Sequence, residues 1–199
     1  MERKRIFIAV NLSNQIKENI KQKILAMCFR ILPPNDKCPI KWVDIENTHI
    51  TLKFLGYLES DKLITVEEIL KEEMAGIKPF SMDLKTFGFF PEIGTPRVLW
   101  VGVEKGHKVL ENLARSLEQN FSKRGFRKET HSNFTSHITL GRVKKHLNKD
   151  EKDGLLKIKD DLKHKSIGKF KVLSIDIMES KLSPKGPKYS IVESLQLKP

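Results

Sequence analysis

The tetrapeptide His-Ile-Thr-Leu occurs twice in this chain of 199 residues, at positions 49–52 and at positions 137–140, which lie 88 residues apart. For this composition, two copies are expected by chance on the order of a few times per million chains. Chance therefore does not account for the repeat. The long separation predicts two related lobes, because the repeats of a solenoid are closer together and more numerous.

Each copy is typical of a strand with one polar face and one apolar face. Residues two apart in a strand point to the same side. His49 therefore projects with Thr51, and His137 projects with Thr139, while the Ile and Leu residues of each copy face a core. If an approximate two-fold axis relates the lobes, the two polar faces meet across a cleft. Two imidazoles and two hydroxyls then converge on one space.

Such a cluster suits acid–base chemistry at phosphorus. Imidazole titrates near pH ~6.5, so one histidine can accept a proton while the other, when charged, donates one from the opposite side of the phosphorus. The threonine hydroxyls can hydrogen-bond the non-bridging oxygens as negative charge builds there.

Two cations follow the repeated motifs. Lys53 shares the strand parity of His49, so simple alternation predicts that it adds positive charge to the same face. Arg142 has the opposite parity to His137, and it reaches the cleft only if the strand contains a bulge or a twist. Both are candidate phosphate-binding residues.

The apolar pattern predicts strands and helices in irregular order, without the rhythm of βαβ units, and hairpin-like connections outnumber long crossovers. We therefore expect an α+β fold, bilobal with pseudo-two-fold symmetry, in which two mainly antiparallel sheets flank a central cleft and helices lie outside. A single domain is expected over residues 1–199. The predicted strands are 5–12, 40–43, 48–55, 80–85, 98–103, 135–143, 170–178 and 189–197, and the predicted helices are 13–29, 60–75, 107–123 and 149–162.

Composition narrows the class of protein. With 39% hydrophobic residues the chain can form a packed core, which excludes wholesale disorder. A formal charge of +12 favours an anionic partner such as RNA, although 29 of the 37 cations are Lys, as a background bias would also give. The short apolar runs and two cysteines, Cys28 and Cys38, predict a cytoplasmic protein. The sequence has no Walker-type or dinucleotide-binding glycine loop, which argues against nucleotide-dependent phosphoryl transfer.

These motifs resemble those of the 2H phosphoesterase superfamily, and within it the RNA 2′,3′-cyclic phosphodiesterases, historically called 2′-5′ RNA ligases. The likeness extends over nearly the full length. Residues 46–56 (ENTHITLKFLG) are similar to the first motif of the family, and residues 137–143 (HITLGRV) are similar to the second. Residues 5–10 and 96–103 resemble its opening and central strands, and Glu179, Ser180, Gly186 and Tyr189 resemble its closing hairpin. Ser136 departs from the family pattern, which has Pro before the second His.

The resemblance implies hydrolysis of RNA 2′,3′-cyclic phosphate ends, including tRNA-half-like ends, to 2′-phosphomonoesters. It implies chemistry without a metal or other cofactor, and some family members also join RNA ends reversibly through a 2′-5′ linkage. We expect the protein to be a monomer, although the sequence itself does not reveal the oligomeric state. By analogy His137 accepts a proton from water and His49 protonates the departing 3′ oxygen. The residues alone leave open which imidazole plays which part.

Aromatic side chains are candidates for stacking on the terminal base. Tyr189 is one, while Phe54 has the wrong parity for the His49 face and is expected in the core.

The sequence is also compatible with two alternative functions. The first is an RNA-binding module that uses the same basic cleft without turnover. The second is a phosphodiesterase that acts on small nucleotides, because the motifs address the phosphate and not the base.

Overall fold

The computed structural model describes residues 3–129, 134–184 and 186–199. Within these ranges the strands are β1 (Arg3–Asn11), β2 (Ile40–Trp42), β3 (His49–Glu59), β4 (Phe80–Phe90), β5 (Val98–Lys105), β6 (His137–Val143), β7 (Ser166–Val172), β8 (Ser174–Ser183) and β9 (Gly186–Gln196). The α-helices are α1 (Asn14–Ile20), α2 (Ala26–Ile31), α3 (Lys62–Met74), α4 (His107–Lys123) and α5 (Lys149–Leu162). A π-helical segment, Lys21–Leu25, joins α1 to α2, and a 3₁₀ turn, Ile45–Asn47, precedes β3.

The strands form one antiparallel sheet in the order β7-β4-β5-β6-β3-β1-β8-β9, with β2 paired to β6 as a branch. The α+β class with antiparallel pairing is confirmed. The two sheets that the sequence led us to expect are joined into one, because β3 and β6 meet where Ile50 pairs with Ile138. Beyond this point β6 pairs instead with β2, so the two motif strands diverge.

The helices cover one face of the sheet and enclose the main core. Helix α1 packs against β7, α4 against β3 and α5 against β4. The predicted apolar stripe of α4 is buried as expected, with Leu110, Leu113, Leu117 and Phe121 facing the sheet. Helix α5 begins with a capping box, in which the side chain of Asn148 and that of Glu151 each accept a backbone N–H hydrogen bond.

Among the strand boundaries that differ from the prediction, two differences have a clear physical reason. The predicted strand 170–178 covers the end of β7 and the start of β8, with the half-exposed Leu173 between them, because polar–apolar alternation continues across the break. Strand β4 runs on to Phe90, five residues past the predicted end, since Phe87 and Phe89 are buried in the core. Within the described ranges, no helix has the length and apolar character needed to cross a membrane.

Candidate active site

The two tetrapeptide copies lie side by side at the centre of the sheet. Ile50 and Ile138, the second residue of each copy, are paired across antiparallel strands and are fully buried. Directly paired residues share a face, and their chain neighbours point to the opposite one. The two histidines and two threonines therefore project together from the face opposite the helical core, as the repeat predicts. The local two-fold relation passes between the paired isoleucines.

A β-bulge follows the threonine in the first copy. On the neighbouring strand, Ala9 pairs with Thr51, but the next residue back, Ile8, pairs with Lys53. Leu52 is thus an extra residue without a partner in β1. A single extra residue reverses the parity of everything after it.

The second copy contains a bulge at the same position. Trp100 pairs with Thr139, whereas the adjacent Leu99 pairs with Gly141, which leaves Leu140 as the extra residue. Leu52 and Leu140 are the fourth residues of their tetrapeptides. The repeat therefore specifies the same backbone irregularity twice, as well as the same side chains.

These bulges determine which of the following residues face the site. Arg142 shares the face of Thr139 and is exposed there. The strand therefore contains the bulge that Arg142 was predicted to need in order to reach the cleft. Phe54 shares the face of Thr51 and has 50% exposure. The expectation that Phe54 belongs to the core is therefore wrong.

Lys53 takes the opposite direction and is 1% exposed. Its ammonium donates hydrogen bonds to the Glu118 carboxylate at 2.5 Å and to the Arg127 carbonyl at 3.1 Å. The expectation that Lys53 faces the cleft is wrong, because the bulge at Leu52 turns it to the helix side of the sheet. It ties β3 to α4 rather than binding a ligand.

The two imidazoles are oriented alike. Nδ1 of His49 lies 2.8 Å from the carbonyl oxygen of Asn47, and Nδ1 of His137 lies 2.7 Å from that of Thr135. A carbonyl only accepts, so both Nδ1 atoms carry the proton and both Nε2 atoms are left for proton transfer. Nε2 of His49 also lies 3.0 Å from Oγ1 of Thr51.

His49 stands in an aromatic enclosure. Its ring centroid is 4.8 Å from that of Phe7 and 5.1 Å from that of Tyr189, which meets it edge-on. Burial lowers the pKa of His49, the Asn47 carbonyl opposes this shift, and positive charge on His137 lowers it further. The two imidazoles are therefore close enough that protonation of one disfavours protonation of the other.

Aromatic side chains of β4 and β5 support His137 in a similar way. Phe90 meets the His137 ring edge-on, with centroids 5.1 Å apart, and Phe90 stacks on Trp100 at 5.0 Å. Burial lowers the pKa of His137, the Thr135 carbonyl opposes this shift, and the charge of Arg142 adds to the lowering. The neutral imidazole is thereby favoured at this position.

A cavity of about 560 Å³ opens on this face of the sheet. Its walls include five of the residues expected at the site, and Phe54: His49, Thr51, Thr139, Arg142, Tyr189 and Phe54. His137 is not one of these wall residues; it stands two residues before Thr139 and shares its face of the sheet. Lys53 is absent from the walls.

The cavity wall also contains three lysines that the sequence motifs did not indicate, namely Lys41, Lys144 and Lys188. They add to the positive charge of Arg142. Their positions depend on the pairing of β2 with β6 and on the β8–β9 hairpin, and only the net charge of the chain indicated such residues.

Burial raises the pKa of Tyr189, while the charges of Arg5 and Arg142 oppose the shift. In the described part of the chain, no cluster of three or more His, Cys, Asp or Glu side chains has the arrangement of a metal site.

Comparison with known proteins gives consistent matches over nearly the whole chain. A family model described as the AKAP7 2′5′ RNA ligase-like domain matches residues 6–197. A protein of Methanothermobacter thermautotrophicus named RNA 2′,3′-cyclic phosphodiesterase is 31% identical over 193 residues, which cover 97% of this chain and 98% of the relative. A protein of the same name from Archaeoglobus fulgidus is 35% identical over 185 residues, covering 93% of this chain and 96% of the relative.

Solved structures have the same fold. A crystal structure of a Thermus thermophilus protein superposes with a TM-score of 0.76 at 24% identity and covers 97% of each chain. The crystal structure of E. coli LigT complexed with 3′-AMP superposes with a TM-score of 0.71 at 22% identity and covers 100% of each chain. The curled antiparallel sheet with helices on one side is common to them.

Proposed function

Because the chain belongs to the AKAP7 2′5′ RNA ligase-like domain family of 2H phosphoesterases, we propose that it hydrolyses RNA 2′,3′-cyclic phosphodiester ends to 2′-phosphomonoesters. The main support for this proposal is that two imidazoles lie on one face of the sheet. In each of them Nδ1 is hydrogen-bonded to a backbone carbonyl, which leaves Nε2 for the substrate. Relatives named for this activity cover nearly the whole chain, which supports the same substrate class.

His137 is assigned the role of general base. Burial lowers its pKa against the opposing effect of the Thr135 carbonyl, and the charge of Arg142 adds to the lowering, which favours the neutral form that accepts a proton. As water attacks the phosphorus, a water proton passes to Nε2 of His137 while the new P–O bond forms.

His49 is assigned the role of general acid. With His137 neutral, the charge that would oppose protonation of His49 is absent, and an anionic phosphate in the cavity favours its imidazolium form. The bond between phosphorus and O3′ breaks, and Nε2 of His49 donates a proton to that oxygen. The product carries a 2′-phosphate and a free 3′-hydroxyl.

The remaining groups of the face stabilise charge. In this mechanism the hydroxyls of Thr51 and Thr139 and the guanidinium of Arg142 bind the non-bridging oxygens as negative charge builds. Their position in the wall of one cavity supports this role. Tyr189 supports the His49 ring and forms one wall for the terminal nucleoside. If a 5′-hydroxyl of another RNA replaces water as the nucleophile, the same groups form a 2′-5′ linkage. We propose that the protein acts as a monomer on RNA ends, without a metal or other cofactor.

The test is product mapping. A short RNA ending in a 2′,3′-cyclic phosphate is incubated with the protein in the presence of a chelator, and the phosphate position of the product is identified. Conversion to the 2′-phosphate is expected, with kcat reduced ~100-fold or more in His49→Ala and in His137→Ala, as the loss of a proton-transfer group predicts. Circular dichroism and thermal melting check that both variants fold.

The other outcomes separate the alternatives. Tight RNA binding without conversion indicates a non-catalytic binding module and contradicts the proposal. Turnover restricted to small cyclic nucleotides indicates a small-molecule phosphodiesterase. A variant that keeps near-wild-type turnover after losing either imidazole contradicts the paired acid–base mechanism.

A further inference from the structure

A second and larger cavity adjoins the candidate active site along β3. Its volume is about 1080 Å³, and Phe54 is a wall residue of both cavities. Arg5 lines the second cavity, and its charge also acts on Tyr189 in the first. We call the second cavity the β3 groove; its walls are Arg5, the stretch 54–58, Lys62, Thr65, the stretch 124–129 and Leu182.

The groove presents exposed aromatic rings in line with the active site. A second bulge in β3 leaves Leu55 without a partner, because Phe7 pairs with Phe54 and the adjacent Ile6 pairs with Gly56. The strand parity reverses again, so Tyr57 projects from the same face of the sheet as Phe54, opposite the helical core. Phe54 is 50% exposed and Tyr57 is 59% exposed. Successive exposed rings beside a cationic surface are typical of single-stranded nucleic-acid sites.

The groove is strongly cationic. Its walls contain five cationic side chains and one carboxylate, that of Glu129. The cationic residues are Arg5, Lys62, Arg124, Arg127 and Lys128. The Glu129 carboxylate already accepts a hydrogen bond from the Phe54 backbone N–H at 3.1 Å. Arg124 is paired with Glu72. The other four cations have no ion pair with any carboxylate in the described ranges.

The rim of the groove is held in place by the buried Lys53. The Lys53 ammonium binds the Arg127 carbonyl, and its partner Glu118 accepts a hydrogen bond from the Glu129 backbone N–H at 3.0 Å. The segment that carries Arg127 and Lys128 is thus fixed to both α4 and β3. A preformed rim reduces the entropy lost when a flexible ligand binds.

We propose that the β3 groove binds the nucleotides immediately 5′ to the cyclic-phosphate nucleotide of a single-stranded RNA. This inference rests on the proposed function. When the 2′ and 3′ oxygens are joined in the cyclic phosphate, the RNA continues from the 5′ oxygen of that nucleoside, so its chain must leave the active-site cavity. The groove shares its Phe54 wall with that cavity, and its cations match the charge of the phosphates. Tyr57 provides a ring on which a preceding base stacks.

The experiment compares kcat/KM for a nucleoside 2′,3′-cyclic monophosphate with kcat/KM for a six-nucleotide RNA that carries the same cyclic end. The wild type prefers the longer substrate. In Tyr57→Ala the ratio of hexamer to mononucleotide efficiency falls about fivefold or more, the range measured for a lost base–aromatic stack. In Arg127→Ala/Lys128→Ala the ratio falls too, and the salt dependence of hexamer binding weakens by about 1.4 in the logarithmic slope.

A matched control removes two lysines from exposed positions on and just after α5, in Lys157→Ala/Lys163→Ala. This variant has the same change in net charge and keeps the wild-type ratio. A ratio equally reduced in the control would mean that total charge, not the groove, is responsible, and would overturn the proposal. An unchanged ratio in both groove variants would overturn it as well, even with full hydrolytic activity.

Binding of a 5′-labelled hexamer, measured by fluorescence anisotropy, keeps the two proposals separate. If the protein hydrolyses neither substrate, the proposed function fails, while groove-dependent weakening of hexamer binding in Tyr57→Ala still supports an RNA site. If an acidic peptide of equal charge competes as well as unlabelled hexamer, the groove is a general anion surface and the proposal is wrong.

Discussion

Replacing Lys53 with Met distinguishes a structural residue from a ligand-binding one. The Lys53 side chain is 1% exposed, and its ammonium binds the Glu118 carboxylate and the Arg127 carbonyl. Methionine has a similar length without the charge, so the variant leaves both acceptors without their donor. Removal of one partner from a fully buried ion pair costs about 3–5 kcal/mol.

The expected cost is smaller here, because Glu118 is not fully buried. Its side chain is 26% exposed, so water recovers part of its solvation. We expect Lys53→Met to lower the free energy of unfolding by about 2–3 kcal/mol, measured by urea denaturation with an unchanged m-value. The matched control is Lys71→Met, which removes an exposed pair with Glu67 and should leave the free energy of unfolding almost unchanged, because water screens exposed ion pairs.

The pH dependence has a defined sign. Burial pushes the pKa of Glu118 upward, but hydrogen bonds from Lys53, the Glu129 backbone and Ser122, with the Lys53 charge, outweigh it and lower the pKa. A lowered carboxyl pKa contributes stability above the unfolded value of 4.5, and this contribution is lost as the pH falls through the folded value. The difference between wild type and Lys53→Met therefore shrinks at acidic pH.

A cycle with Glu118→Gln completes the test, since the double variant leaves no stranded charge. Its destabilisation should be smaller than the sum of the two single changes by about 1 kcal/mol or more. If Lys53→Met destabilises no more than Lys71→Met but raises KM, Lys53 contacts substrate and the assignment to the helix side is refuted.

Two further predictions concern the titration and reactivity of single groups. Arg142→Gln removes a positive charge that lowers the pKa of His137, so that pKa rises and the midpoint of the ascending limb of kcat/KM moves to higher pH. An NMR titration of His137 checks the shift directly; the idea fails if the midpoint stays in place or moves to lower pH. Burial raises the pKa of Cys28 to about 12, whereas Cys38 is partly accessible, so a thiol reagent should label one cysteine in the folded protein and two after denaturation. Rapid labelling of both thiols under native conditions would contradict the buried position of Cys28.

The sequence alone was sufficient to predict which side chains share a face at the centre of the candidate site. Alternation within each tetrapeptide correctly places His49 with Thr51 and His137 with Thr139, because the period of two holds as far as the threonine. The repeat also correctly indicates that two similar strands meet, which the pairing of Ile50 with Ile138 accounts for.

Alternation failed immediately after the threonines. Bulges at Leu52 and Leu140 reverse the parity, so Lys53 enters the interior and Phe54 leaves it. A bulge depends on the partner strand and leaves no periodic signal in its own sequence. The repeat nevertheless contains information about the bulges. Phe54 stands five residues after His49, and Arg142 stands five residues after His137. A bulge that brings Arg142 to the cleft in one copy therefore predicts the exposure of Phe54 in the other.

The second cavity could not be predicted from sequence. It combines Arg5 of β1, the end of β3, the start of α3 and the segment after α4, which are distant in the chain. Their proximity follows from the pairing of β1 with β3 and from the Lys53–Glu118 contact, and both require the folded structure.

A substrate with a sulfur atom in place of O3′ tests the division of labour between the imidazoles most directly. A thiolate is a good leaving group that needs no proton, so the general acid becomes dispensable for this cyclic phosphorothiolate while the general base does not. We predict that His49→Ala hydrolyses the sulfur substrate within about tenfold of the wild-type rate, whereas His137→Ala remains ~100-fold or more impaired. Rescue of His137→Ala instead, or of neither variant, would contradict the account.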